Sequence, residues 1–101
     1  MTVNLPQPIE RFTTGPLTPD DLRERLCWIA EYIYRNGWAP SHREMGPGWS
    51  VSAAAVKTTL EKLEEIGWIV WVQGQGRMLR ITDEGLMQVP QPMGLAENGS
   101  S

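Results

Sequence analysis

Residues 50–69 read SVSAAAVKTTLEKLEEIGWI, and the fold turns on how this stretch is read. Val56, Leu60, Leu63 and Ile66 recur at steps of three and four, so a helix would carry them on a single face. Ser52 stands where an N-cap belongs, and Gly67 stands where a left-handed residue closes a helix. The spacing predicts a helix over residues 52–66. Its other face holds Ala54, Thr58, Glu61 and Glu65, with Lys57 and Lys62 on the flanks. Ala54 and Thr58, both short, would let the leading end of the backbone come close to another surface.

Downstream, Trp68-Ile69-Val70-Trp71-Val72 is an unbroken run of β-formers. Gln73-Gly74-Gln75-Gly76 reads as a turn, and Arg77-Met78-Leu79-Arg80-Ile81 alternates like a second strand, with Leu79 and Ile81 inward and Met78 and Arg80 outward. Thr82-Asp83-Glu84-Gly85 closes the hairpin and caps a last turn through Leu86 and Met87. A two-stranded hairpin cannot bury both sides of residues 68–72. An apolar remainder involving Val70, Trp71 and Val72 is therefore expected to be covered by the N-terminal arm, a C-terminal segment or a second protein.

Upstream, Thr18 can cap a helix whose first position is Pro19 and whose first turn carries Asp20 and Asp21. Leu22, Leu26, Ile29, Ala30 and Ile33 would line its buried face, and Asn36-Gly37 would end it. Ser41-His42-Arg43-Glu44 has the form of a capping box. Gly46-Pro47-Gly48 follows at once, and a helix-interior proline costs about 3 kcal/mol and each glycine about 1. The second helix is accordingly expected to span one turn or to break at Met45, with Trp49 anchoring the chain after the break. Trp28 falls beside the core face of the first helix, and Trp38, Trp49 and Trp68 suit plugs between elements.

The order helix, short helix, long helix, hairpin predicts an α+β domain of about residues 17–88. Residues 1–16, with Pro6, Pro8, Gly15 and Pro16, read as a flexible arm, and residues 89–101 as a disordered tail. A 101-residue chain of 41% hydrophobic content fits one small domain. Cys27 is the single cysteine, which excludes an intrachain disulfide and a cysteine-based zinc cage and fits a reducing compartment. No apolar run is long enough to span a bilayer, and the N-terminus lacks the layout of a signal peptide. A soluble cytoplasmic protein is the expectation. The net charge of −3 argues against nucleic acid as a whole, but the negative excess sits in Asp20, Asp21 and Glu24 and in Asp83, Glu84 and Glu97. The centre, with Arg43, Lys57, Lys62, Arg77 and Arg80, is slightly positive, and attraction to phosphate acts over about 8–10 Å.

Leu17-Thr18-Pro19, Asn36-Gly37-Trp38-Ala39-Pro40-Ser41-His42-Arg43-Glu44-Met45 and Glu64-Glu65-Ile66-Gly67-Trp68-Ile69 together resemble the N-terminal DNA-binding domain of LexA-type repressors. Ile81-Thr82-Asp83-Glu84-Gly85 is similar to the wing exit of MarR-type regulators. The resemblance covers residues 17 to 85 and implies a winged helix-turn-helix, with a three-helix core and a C-terminal β-hairpin wing. Two departures stand out: Gly46-Pro47-Gly48 lies where the family's second helix runs on, and Val70 and Trp71 occupy strand positions that are often basic. The sequence also ends where such a repressor would enter its self-cleaving peptidase domain.

On that resemblance the third helix is the recognition helix. Ser52, Ala53, Ala54, Lys57 and Thr58 are the candidates for the major groove of double-stranded DNA. Ser41, His42 and Arg43 would meet phosphate at the start of the second helix. Gln73, Gln75, Arg77 and Arg80 would form the wing. The implied role is sequence-specific DNA binding by a small transcriptional regulator, such as a phage or other mobile element encodes, acting as a homodimer or with a protein partner. The alternative is a protein-binding or dimerising winged helix that uses Val70, Trp71, Val72 and the first helix. Catalysis has nothing to stand on. The pairs Asp20/Asp21 and Glu64/Glu65 are adjacent and point apart on a helix, His42 has no metal-spaced partner, and Gly74-Gln75-Gly76 feeds a strand. No cofactor, metal or small-molecule substrate is expected.

Overall fold

A computed structural model describes residues 3–9, 16–71 and 79–90. Its elements run α1 (Pro19–Asn36), α2 (His42–Trp49), α3 (Ala53–Glu65), β1 (Ile69–Trp71), β2 (Leu79–Ile81) and α4 (Asp83–Leu86), the winged helix-turn-helix order. The boundaries follow from local chemistry. At α1 the Thr18 hydroxyl accepts the Asp21 N–H at 3.1 Å while the Asp21 carboxylate accepts the Thr18 N–H at 3.0 Å, a closed capping box. At α3 the Ser52 hydroxyl accepts the Ala55 N–H at 3.2 Å. The other end of α3 closes through Gly67, whose φ of 85° is left-handed. The Trp68 N–H donates to the Leu63 carbonyl and the Gly67 N–H to the Glu64 carbonyl, each at 3.0 Å, so two orphan carbonyls are satisfied in a Schellman turn.

The second helix departs from expectation. It is neither one turn nor broken at Met45 but runs eight residues, through Gly46-Pro47-Gly48, to Trp49. Tertiary packing overrides propensity here. Met45 and Trp49 lie one helical turn apart, and each is only 1% exposed. Gly48 allows the close approach that buries them: a Cβ at this position would lie 2.2 Å from Cζ2 of Trp28. Pro47 forfeits one intrahelical bond but lies on the exposed side, so its ring meets solvent. The start of α2 is held by Glu44, whose carboxylate accepts the Ser41 N–H at 2.8 Å, the Ser41 hydroxyl at 3.0 Å and the Tyr32 hydroxyl of α1 at 2.8 Å.

One core joins Leu22, Leu26, Trp28, Ile29 and Tyr32 of α1, Met45 and Trp49 of α2, Val56, Leu60 and Leu63 of α3, and Ile69 and Trp71 of β1. Ile66, expected on the buried stripe of α3, is 40% exposed because the helix has already ended. Trp38, expected as a core plug, is 36% exposed, and Trp68 is half-buried. Thr59 takes a place on the buried face of α3 instead, and its hydroxyl accepts from Nη1 of Arg25, a buried cation of α1. Burial lowers the Arg25 pKa from its ordinary value, with Asp21 and Glu24 acting in the other direction. Burial also raises the thiol of the half-buried Cys27, against a lowering by Arg23.

The strands pair antiparallel, Ile69 with Ile81, Val70 with Arg80 and Trp71 with Leu79. Ile69 and Trp71 face the core at 1% and 7% exposure, leaving Val70 outward at 44%. The expected apolar remainder of this strand is thus Val70; Trp71 is a core residue, and Val72 lies outside the described residues. Residues 3–9, expected as part of a flexible arm, lie docked on the domain. Val3 and Ile9 pack against the core, and Asn4 exchanges hydrogen bonds with Asn36 at 2.8 and 3.0 Å. No helix among the described residues is long and apolar enough to cross a membrane.

Candidate nucleic-acid interface

A helix presents its first turn to a surface only if its sides are held from behind, and α3 is held on two sides. Val56, Leu60 and Leu63, all 0% exposed, seat it on the core, and Thr59 ties it to Arg25 of α1. The guanidinium of Arg25 also lies 5.7 Å from the centre of the Trp49 ring, joining α1, α2 and α3 at one point. What α3 then leaves outward is Ser52, Ala53, Ala54, Lys57 and Thr58, every one exposed. No acidic residue lies in the first turn of α3. The carboxylates of Glu61, Glu64 and Glu65 belong to its trailing half, where Lys62 pairs with Glu65 at 3.6 Å. The positive end of the helix dipole therefore lies in a first turn without carboxylate, with Lys57 directly after it.

The remaining candidates divide. His42 and Arg43 are exposed in the first turn of α2, and the His42 ring tilts against Trp71 with centroids 5.6 Å apart. Ser41 is half-buried, with its hydroxyl proton already given to Glu44. Thr58 is exposed, but its hydroxyl donates to the Ala54 carbonyl at 3.1 Å, leaving the methyl group and the oxygen lone pairs for an outside contact. Arg80 is exposed on β2, where it borders an apolar groove of about 560 Å³ whose described lining comes from α1, the α1–α2 connection, β2, α4 and the chain after it. Gln73, Gln75 and Arg77 lie outside the described residues. The support residues Arg25 and Thr59 escape a reading by apolar periodicity. A threonine one step from Leu60 on the buried stripe, and an arginine between Leu22 and Leu26, were the available signals. Among the described residues no group of three His, Cys, Asp or Glu side chains could hold a metal ion.

A three-helix core with a capped, protruding third helix and a two-stranded wing defines the winged helix-turn-helix class. Comparison with known proteins narrows the class. The LexA DNA binding domain matches over residues 15–78, and the chain belongs to this family. It is 35% identical over 60 residues to a transcription regulator LexA of Synechocystis sp., covering 58% of this chain and 30% of that protein. It is 32% identical over 68 residues to a LexA repressor of Thermotoga neapolitana, covering 67% of this chain and 34% of that protein. The chain thus spans about a third of the length of the curated relatives it matches.

Proposed function

We propose that the chain is a cytoplasmic transcriptional regulator that binds double-stranded DNA by sequence, with α3 in the major groove. The observation that carries this reading is the exposed, carboxylate-free leading turn of α3, in a domain of a family whose relatives include a LexA repressor. Lys57 reaches a guanine edge or a phosphate, and the Thr58 methyl packs on a thymine methyl. Ala53 and Ala54 permit the close approach, while Ser52 contributes its cap hydroxyl. His42 and Arg43, with the free amides that open α2, hold a phosphate, and Ser41 fixes that turn. Gln73, Gln75, Arg77 and Arg80 belong to the wing on the backbone. So few cations give one copy weak affinity, and a homodimer on a two-fold operator supplies the rest.

Lys57→Glu tests the reading. Affinity for a duplex selected from a random pool should fall by about 1–3 kcal/mol, with the salt slope reduced by about one and the unfolding midpoint unchanged. Unaltered binding by this variant would defeat the placement of α3. A second reading, protein contact, draws on the groove beside Arg80, where Tyr34 is 53% and Leu86 51% exposed, and on Val70. A second copy of this chain is the partner it would take. Tyr34→Glu should then turn a dimer into a monomer in sedimentation, and an unchanged mass would remove this surface from consideration.

A further inference from the structure

Ser50, between α2 and α3, is the one non-glycine residue with positive φ among those described, at 59°. Ser50 is the left-handed cap of α2: its N–H donates to the Pro47 carbonyl at 3.2 Å and the Val51 N–H to the Gly46 carbonyl at 2.9 Å. A further contact comes from far away in sequence. The Ser50 hydroxyl donates to the Ile9 carbonyl at 2.6 Å, and the Ile9 N–H donates in turn to the Gly48 carbonyl at 2.7 Å. Ile9 therefore spans the turn, bonded on one side to the last turn of α2 and on the other to the residue that redirects the chain into α3. Ser52, two residues on, is the cap of α3. Residues 3–9 lie ahead of the segment that the LexA DNA binding domain family matches.

We propose that Ser50 and Ile9 form a positioning clip through which the N-terminal arm sets the seat of α3 against α2, and with it the discrimination between DNA sequences. The inference rests on the reading of α3 as the recognition helix. Ser50 need touch no base. Its hydroxyl fixes the backbone two residues before the cap, and an orientation error there is carried along the exposed positions Ala54, Lys57 and Thr58. A looser seat weakens base readout, which demands geometry, more than phosphate attraction, which tolerates it.

The full-length chain is compared as wild type and as Ser50→Gly, Ser50→Ala and Ser50→Asn. Glycine removes the hydroxyl but relieves the left-handed backbone, so the unfolding midpoint should stay near wild type. Alanine removes the same bond and keeps the strain, lowering the midpoint. Asparagine accepts this conformation and offers a side-chain N–H to Ile9. Glycine and alanine variants should both lose about fivefold in affinity for a selected duplex, the size of one hydrogen bond, despite their different stabilities. Their preference for that duplex over a scrambled one should fall with the salt slope unchanged, the Ala55 and Val56 amides should exchange faster, and asparagine should restore both. Wild-type binding by the glycine and alanine variants, or unchanged exchange at the start of α3, overturns the clip. If the wild type retains no duplex, the DNA reading falls, and amide exchange alone decides whether Ser50 holds α3.

Discussion

Gly48→Ala sets helix propensity against packing and shows which dominates α2. In a free helix alanine is favoured over glycine by about 1 kcal/mol. Here the added methyl carbon would meet Cζ2 of Trp28 at 2.2 Å, Cε2 at 2.6 Å and Cη2 at 2.9 Å. Ordinary contact begins near 3.4 Å, so a displacement of about 1 Å is required between α2 and the indole. Trp28 has little room to yield. It is 4% exposed, with Tyr32 at 5.7 Å and Trp49 at 6.4 Å between ring centres. Overpacking of this kind costs about 1–3 kcal/mol or more, and the severity of the contact puts this case at the upper end. Net destabilisation of about 2 kcal/mol is expected after the propensity gain, which for a domain of this size lowers the midpoint by about 8–16 °C. Thermal unfolding followed by far-ultraviolet dichroism measures it. Trp28→Phe, which shortens the ring system at the point of contact, should return part of the loss in a double-mutant cycle. A Gly48→Ala variant as stable as wild type, or additivity of the two substitutions, would refute the packing explanation for the continuity of α2.

Pro47→Ala should stabilise the domain by about 1–2 kcal/mol, since the helical penalty of about 3 is partly offset by the greater freedom of the unfolded chain; urea unfolding checks it. Thr59→Val leaves Nη1 of the buried Arg25 without its hydroxyl partner and should cost about 1–3 kcal/mol by the same assay, with dichroism of the folded state unchanged.

The parts of the fold written in local chemistry were legible in the sequence. Thr18, Pro19 and Asp21 open α1, Ser52 caps α3, and Gly67 closes it as its position implied. The inward pair Leu79 and Ile81 follows from strand alternation, although both are only half-buried, whereas the facing of β1, with Ile69 and Trp71 inward, was left open. The continuity of α2 was hidden because glycine and proline argue locally against a helix, while the reason for Gly48 is an indole twenty residues earlier in the chain. The docked arm was hidden for another reason. Its clip is made by main-chain groups of Ile9 and Gly48 and the hydroxyl of a single serine, Ser50, which leave no periodic mark on side-chain identity. At the candidate interface the helix and its leading residues were readable from small size, charge and cap. Its underpinning by Arg25 and Thr59 was not, because a polar pair inside an apolar stripe looks like a break in the pattern until both halves are seen to face each other.

The tilt of the His42 imidazole against Trp71 gives this molecule a built-in gauge. The indole's circulating electrons displace the resonances of the imidazole hydrogens by an amount that varies steeply with separation. Any shift of the strand relative to the opening of α2, such as a nucleic-acid backbone pulling on the wing would produce, will register as a change in those two lines of a proton spectrum.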